Sequence, residues 1–218
     1  MSVNVVCFWW NDWCGEYGPQ YVHNLHESLK RYTTVPFNFY CFTDNPNALE
    51  VPTIYFQPQF KWNLNKLIPF DPKYNFTDRI VTIDLDTIFL DYIDFIFQDP
   101  DIFTTNESFG NPNECGGGIV SCRVDYGRKL YYLIKENQKK IEKQTNGAER
   151  LFYRKYVDNP KFWQKKYSGI YSYKKHCQYQ IPKDAKIIHY HGNLNPHMTK
   201  LRDYWDYQQP STKADGLR

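Results

Sequence analysis

The chain has 218 residues, 41% hydrophobic and 18% aromatic, with a net charge of +3 and a pI of about 8.4. That length fits one substantial domain or two small ones and is ample for a buried core. The near-balanced charge, with Lys and Arg spread along the chain, speaks against a nucleic-acid partner, and no apolar stretch is long enough to span a membrane as a helix.

The N-terminus runs into Val3–Trp9, which reads as a buried first strand. It shows neither a basic region nor a small-residue cleavage site, so no signal peptide is expected and a cytoplasmic location is the expectation. A polar loop over residues 11–18 leads to a helix over 19–31, with Pro19 at its start and Tyr21, Val22, Leu25 and Leu29 at helical spacing. A second strand covers 37–42 and ends in the turn Thr43-Asp44-Asn45-Pro46. A short strand is expected at 53–56, a helical turn at 61–67, and a strong strand at 80–83. This strand–helix–strand rhythm predicts an α/β domain with a mainly parallel sheet flanked by helices. Ligands of such sheets gather at the carboxyl ends of the strands. Beyond residue 90 come a glycine run entering a strand at 116–122, one long amphipathic helix over 125–143, a helix over 148–156 and a late strand at 186–190. A single domain is expected over 1–207, with a polar, mobile tail at 208–218. The 6 cysteines are scattered without a CxxC pair. Cys7, Cys41 and Cys122 lie in apolar runs, so buried free thiols are expected rather than a zinc site. The runs Lys139-Lys140 and Lys165-Lys166 read as solvated helix faces.

Two segments carry chemistry. In Arg79-Ile-Val-Thr-Ile-Asp84-Leu-Asp86-Thr-Ile-Phe-Leu90 two carboxylates sit between apolar runs. On an extended chain they point to the same side. Converging carboxylates repel and are costly to bury unpaired, which predicts a hard divalent cation between them. The second segment is His189-Tyr-His191-Gly192-Asn-Leu-Asn195-Pro196-His197. An imidazole added to two carboxylates suits Mn²⁺ better than Mg²⁺ or Ca²⁺. Spacing leaves His189 and His191 equivalent, since both point to one side of an extended segment.

Together these motifs resemble the GT-A glycosyltransferases, especially the retaining family 8 group that includes glycogenin and bacterial galactosyl- and glucosyltransferases. That group's DxD ends an apolar strand, as Ile83-Asp84-Leu85-Asp86 does. Its late motif, His-x-x-Gly-x-x-Lys-Pro-Trp, is matched by His189, Gly192 and Pro196, with Asn195 in place of Lys and His197 in place of Trp. The stretch 163–197 also looks like the C-terminal part of viral and bacterial GT-A enzymes. The resemblance implies the GT-A (nucleotide-diphospho-sugar transferase) fold, a UDP-sugar donor, a glycan or other hydroxyl acceptor, and retention of anomeric configuration. It implies Mn²⁺, or Mg²⁺, held by Asp84, Asp86 and His189, with Asp84 also near the ribose. The cation would stabilise charge on the leaving diphosphate. The base and ribose are expected near Phe8, Trp9, Trp10 and Trp13, with Thr43 and Asp44 after the second strand and Trp62 and Lys66 from the next loop. Leu85, Gly117, Gly118, His191, Gly192 and Asn195 complete the expected donor site. Lys200 is a candidate to replace the motif lysine. Glu149 is the candidate beside the reacting sugar; the competing role for it is a favourable charge at a helix N-terminus.

Three rivals stand against this. A DxD phosphatase of the haloacid dehalogenase type would place its motif near the N-terminus and give the late His-Gly motif no role. A nucleotide-sugar pyrophosphorylase would carry a Gly-rich, Arg-bearing loop after the first strand. A non-catalytic carbohydrate-binding module fits the aromatic content but needs no DxD and His together.

Overall fold

The structure, a computed structural model, describes residues 3–10, 17–192 and 194–205, without the Asp203 side chain. Trp13, Cys14 and the tail 208–218 lie outside the described residues. Alternating apolar strands and amphipathic helices build an α/β domain around a seven-stranded sheet ordered β3-β2-β1-β4-β7-β6-β8. These strands are β1 (Val3–Trp9), β2 (Phe37–Thr43), β3 (Thr53–Tyr55), β4 (Arg79–Ile83), β6 (Phe103–Glu107), β7 (Cys115–Arg123) and β8 (Lys161–Phe162). β7 runs antiparallel to both its neighbours, while every other adjacent pair is parallel. A smaller sheet is made of β5 (Thr87–Phe89), β9 (Ile170–Ser172) and β10 (Ile187–His189), with β10 in the middle.

Every residue of β1 is buried because both faces of the sheet are covered. On one face α1 (Gln20–Tyr32) lays down Tyr21, Val22, Leu25 and Leu29 against Val5, Cys7 and Trp9, and the small sheet joins the same core. On the other face Val6, Phe8, Trp10 and Phe42 pack with the 3₁₀ segment Trp62–Phe70 and with α3 (Val124–Glu136), α4 (Gln138–Thr145) and α5 (Glu149–Tyr156). Three short helices, α2 (Asp94–Phe97), α6 (Trp163–Lys166) and α7 (Arg202–Trp205), fill the connections. No described helix is long and apolar enough to cross a membrane. Cys41, Cys115, Cys122 and Cys177 are buried free thiols, and Cys7 is buried in the α1 core.

Three expectations need correction. The single helix over 125–143 is two helices, because Asn137 ends α3: its side-chain amide donates to the Leu133 carbonyl at 3.0 Å and its backbone N–H to Leu133 and Ile134 at 3.2 Å. Lys166 is not a solvated helix-face residue. Its ammonium pairs with the fully buried Asp99 carboxylate and lies 2.6 Å from Asp101. Asp84 and Asp86 do not sit on one extended strand. β4 stops at Ile83, and residues 84–87 form a turn closed by the Thr87 N–H donating to the Asp84 carbonyl at 3.2 Å.

The joint between α1 and α2 rests on one carboxylate. Asp94 accepts from the Thr33 hydroxyl at 2.6 Å, the Thr34 N–H at 2.7 Å and the Thr34 hydroxyl at 2.5 Å. Burial alone would raise its pKa; these hydrogen bonds outweigh it and hold the pKa below the usual value. Asp94→Ala is therefore expected to cost about 1–2 kcal/mol in urea unfolding at neutral pH. A depressed folded pKa gives stability that is present above the unfolded value of about 3.9 and is lost as pH falls through the folded one. The gap between Asp94→Ala and the parent should accordingly close in acid.

Candidate functional site

The register of β1 and β4 sets the site. Val6 lies opposite Thr82, so Phe8 and Trp10 fall beside the chain as it leaves β4 at Asp84. Alternation along β1 turns Phe8 and Trp10 to one face and Trp9 to the other. Trp9 is thereby placed in the α1 core, its indole N–H donating to the Tyr17 carbonyl at 2.6 Å. Beyond the acid turn, β5 pairs antiparallel with β10, His189 opposite Thr87. This pairing brings the late His-Gly segment to the carboxylates, and the Tyr190 N–H donates to the Asp86 carbonyl at 3.3 Å.

Two cavities meet at the acid pair. The first, about 360 Å³, is lined by Phe8, Trp10, Tyr17, Asn63, Lys66 and Ile83 on one side and by Leu85, Tyr190 and Gly192 on the other. The second, about 370 Å³, is lined by Asn106, Glu107, Ser108, Phe109, the glycines Gly110, Gly116, Gly117 and Gly118, and Arg150, Lys175 and His189. Asp84, Asp86, Tyr190 and His191 border both.

Lys66 organises the floor. It is buried, with its ammonium 2.5 Å from Asp84 Oδ1 and 2.9 Å from Glu149 Oε1. Burial by itself would lower the lysine pKa, but Asp84 and Glu149 outweigh it and the net displacement is upward, so Lys66 stays charged. Its backbone is fixed by the buried Asn65, which accepts from the N–H groups of Gln59 and Phe60 at 2.9 Å and donates to the carbonyls of Phe60 at 2.7 Å and Trp62 at 2.8 Å. Glu149 is the first residue of α5, is buried, and lines neither cavity. Gly117, at φ +85°, makes room for it: a Cβ there would stand 2.7 Å from Glu149 Oε1. Burial first, and Glu149 after it, raise the Asp84 pKa against the pull of Lys66. Asp86 is pushed up to about 7, by burial first and then by Asp84.

His189 is held as a neutral imidazole. The Asn106 side-chain oxygen accepts the Ile119 N–H at 2.7 Å, which leaves its amide nitrogen to donate to His189 Nε2 at 2.8 Å. Nδ1 then carries the proton toward the Thr87 hydroxyl, 3.3 Å away. Burial, with His191 second, lowers the His189 pKa to about 3. Asn106 reaches this position through a bulge in the β6–β7 pairing. His191 Nε2 meets the Ser172 hydroxyl at 2.7 Å, and its ring stacks on Phe109 with centroids 6.1 Å apart. Burial first, then Lys174, Lys175 and His176, lower the His191 pKa. Among the described residues, no three His, Cys, Asp or Glu side chains are grouped as a metal site.

The cavities thus gather Phe8, Trp10, Lys66, Asp84, Leu85, Asp86, Gly117, Gly118, His189, His191 and Gly192 of the sequence candidates. Other candidates stand elsewhere. The Thr43 hydroxyl is taken by the Asn45 N–H at 3.0 Å, and Asp44 lies on the same turn outside both cavities. Trp62 is 50% exposed, with the Lys61 ammonium 5.2 Å above its ring. Asn195 is buried and accepts from the Tyr17 hydroxyl at 3.1 Å; that hydroxyl also lies 3.4 Å from Asp86 Oδ2. Lys200 donates to the carbonyls of Gln178 at 3.0 Å and Tyr179 at 2.8 Å, so the cation at the acid pair is Lys66 instead. Sequence reasoning missed Asn106, Phe109, Arg150 and Lys175. The β6–β7 bulge places Asn106, the β9–β10 pairing Lys175 and the packing of α5 against β7 Arg150, and none of these leaves a motif. No protein-family model matches the chain, and no curated protein sequence matches it.

Proposed function

We propose that this chain is a GT-A glycosyltransferase that moves a sugar from a nucleotide diphosphate sugar, a UDP-sugar first, to a hydroxyl acceptor such as a glycan, with retention of configuration. The observation that carries the proposal is the meeting of two cavities at one pair of carboxylates beyond the carboxyl end of β4. A two-substrate transfer needs two such spaces with the reacting bond between them. The sheet order, with β7 alone reversed next to β4, supports the same reading.

The first cavity suits the nucleotide. Phe8, Trp10 and Tyr17 offer rings to the base, and Asn63 offers an amide. The second suits the sugar and the acceptor, where Gly117 and Gly118 let a substrate approach the backbone closely. The carboxylates fit a hard divalent cation, Mn²⁺ or Mg²⁺. Asp86 is pushed up to about 7 in a place where a positive charge would restore its ionised form. The imidazole of His189 fits less well, because Asn106 and Thr87 engage both its nitrogens. Its role in this proposal is to hold β10 against Asn106 of β6. When bound, the cation would supply Lewis-acid stabilisation to the departing diphosphate. Lys66 adds a fixed, permanently charged ammonium beside Asp84 that needs no reorganisation as charge develops.

The test is calorimetric titration of UDP, GDP and UDP-glucose into the protein with MnCl₂ and again with EDTA. Nucleotide binding that disappears in EDTA is expected. Glycan binding indifferent to EDTA, with no nucleotide bound, would mark a carbohydrate-binding module instead.

A further inference from the structure

We infer that the second cavity receives an acceptor that carries a negative charge (a sugar carboxylate, phosphate or sulfate) held by Arg150 and Lys175. This rests on the transferase assignment above.

Arg150 is the second residue of α5, and Lys175 belongs to the π-helical turn Tyr173–Cys177 that follows β9. The two come from separate elements, yet both line the same cavity, and neither lines the first one. Both are exposed at its mouth, whereas Gly117 and His189, which line the same cavity with the acid pair, are buried. Among the described residues neither has a carboxylate within ion-pair distance, although the neighbouring Arg154 does, with Glu114 at 2.8 Å.

The acidic groups of the cavity are already matched. Asp84 faces Lys66 at 2.5 Å. Glu107 Oε1 accepts the Asn113 N–H at 2.6 Å and lies 3.5 Å from the Lys165 ammonium. Asp86 belongs to the proposed cation. Arg150 and Lys175 therefore keep an unbalanced positive potential at the entrance, and the exposed Lys174 extends it along the same turn. Beside them Phe109, stacked on His191, offers a flat apolar face to a sugar ring. A cavity lined by an aromatic ring and by two cations from separate elements is matched by a ring bearing an anionic substituent.

The position of the cations assigns that charge to the acceptor. The donor's diphosphate would lie at the carboxylates with Lys66 and the metal, on the first-cavity side. The acceptor approaches through the open mouth, where Arg150 and Lys175 stand.

The experiment uses the full chain with MnCl₂ and UDP on an array of matched neutral, uronate-bearing, phosphorylated and sulfated glycans, beside calorimetry of UDP alone. Anionic glycans are expected to be retained over their neutral counterparts. Arg150→Ala and Lys175→Ala should each weaken that retention about tenfold, the loss expected for a charge-assisted hydrogen bond. UDP affinity should move less than about twofold, well under the tenfold that one such bond represents. Equal retention of neutral and anionic glycans, or no retention of anionic ones while UDP still binds, overturns the inference and leaves the transferase assignment standing. Weaker UDP binding in the two variants also overturns it, by giving the cations to the donor. Absence of any nucleotide binding in the parent protein defeats the assignment on which the inference rests.

Discussion

Asp86→Ala is expected to abolish metal-dependent turnover of a nucleotide diphosphate sugar, by about a thousandfold or more, while leaving the protein at least as stable as the parent. The loss corresponds to about 4 kcal/mol of transition-state stabilisation, the scale on which a bound divalent cation acts on a leaving phosphate. The stability expectation comes from the carboxylate's surroundings. Burial and Asp84 push Asp86 up to about 7, so the folded protein resists its charged form. Its Tyr17 contact is long, at 3.4 Å, and offsets little of that resistance. A side chain that the fold tolerates poorly is one retained for another purpose. Donor hydrolysis followed by nucleotide release, together with urea unfolding of parent and variant, reads both effects. A variant with full activity, or one that loses activity only because it unfolds, would remove Asp86 from the site.

Lys66→Met should lose stability as well as activity. Among the described residues its ammonium is the one cation paired with both Asp84 and the buried Glu149. Removing it strands both charges, at a cost of about 3–5 kcal/mol. The double variant Lys66→Met with Glu149→Gln should recover a large part of that loss, because the buried carboxylate disappears together with its partner. Chemical denaturation of the parent, the two single variants and the double variant closes the cycle. Additive effects would mean that the ion pair is not what holds this floor together. Activity is expected to stay low in the double variant, because the fixed charge beside Asp84 is still missing.

Local pattern made much of the framework legible. The spacing of Tyr21, Val22, Leu25 and Leu29 gave α1, and the apolar runs before Trp9, Thr43 and Asp84 gave three adjacent parallel strands. The carboxylate pair itself stood out because charged residues rarely interrupt such runs. What was hidden depends on pairing between distant segments. Trp9 and Trp10 look alike as candidates until the pleat turns one ring into the α1 core and the other toward the cavity. Glu149 suggested an acid beside the reacting sugar or a charge at a helix N-terminus, and only the fold sets Lys66 against it. His189 suggested a metal ligand, but the bulge at Asn106 supplies the hydrogen bond that occupies its Nε2. No local signal announces a bulge or a glycine such as Gly117 whose missing side chain admits a carboxylate from a later helix.

The pairing of β5 with β10 has a consequence for the order of events during synthesis. Thr87 and His189 are neighbours across that ladder, yet about a hundred residues of chain separate them. The four parallel strands and α1 can assemble from the first part of the chain, but closing so long a loop comes late. Until residues 187–192 leave the ribosome, the acid turn has a wall on one side and water on the other. A nascent chain stalled before residue 187 should therefore carry both carboxylates and still be chemically silent, and activity should switch on with the last strand to dock.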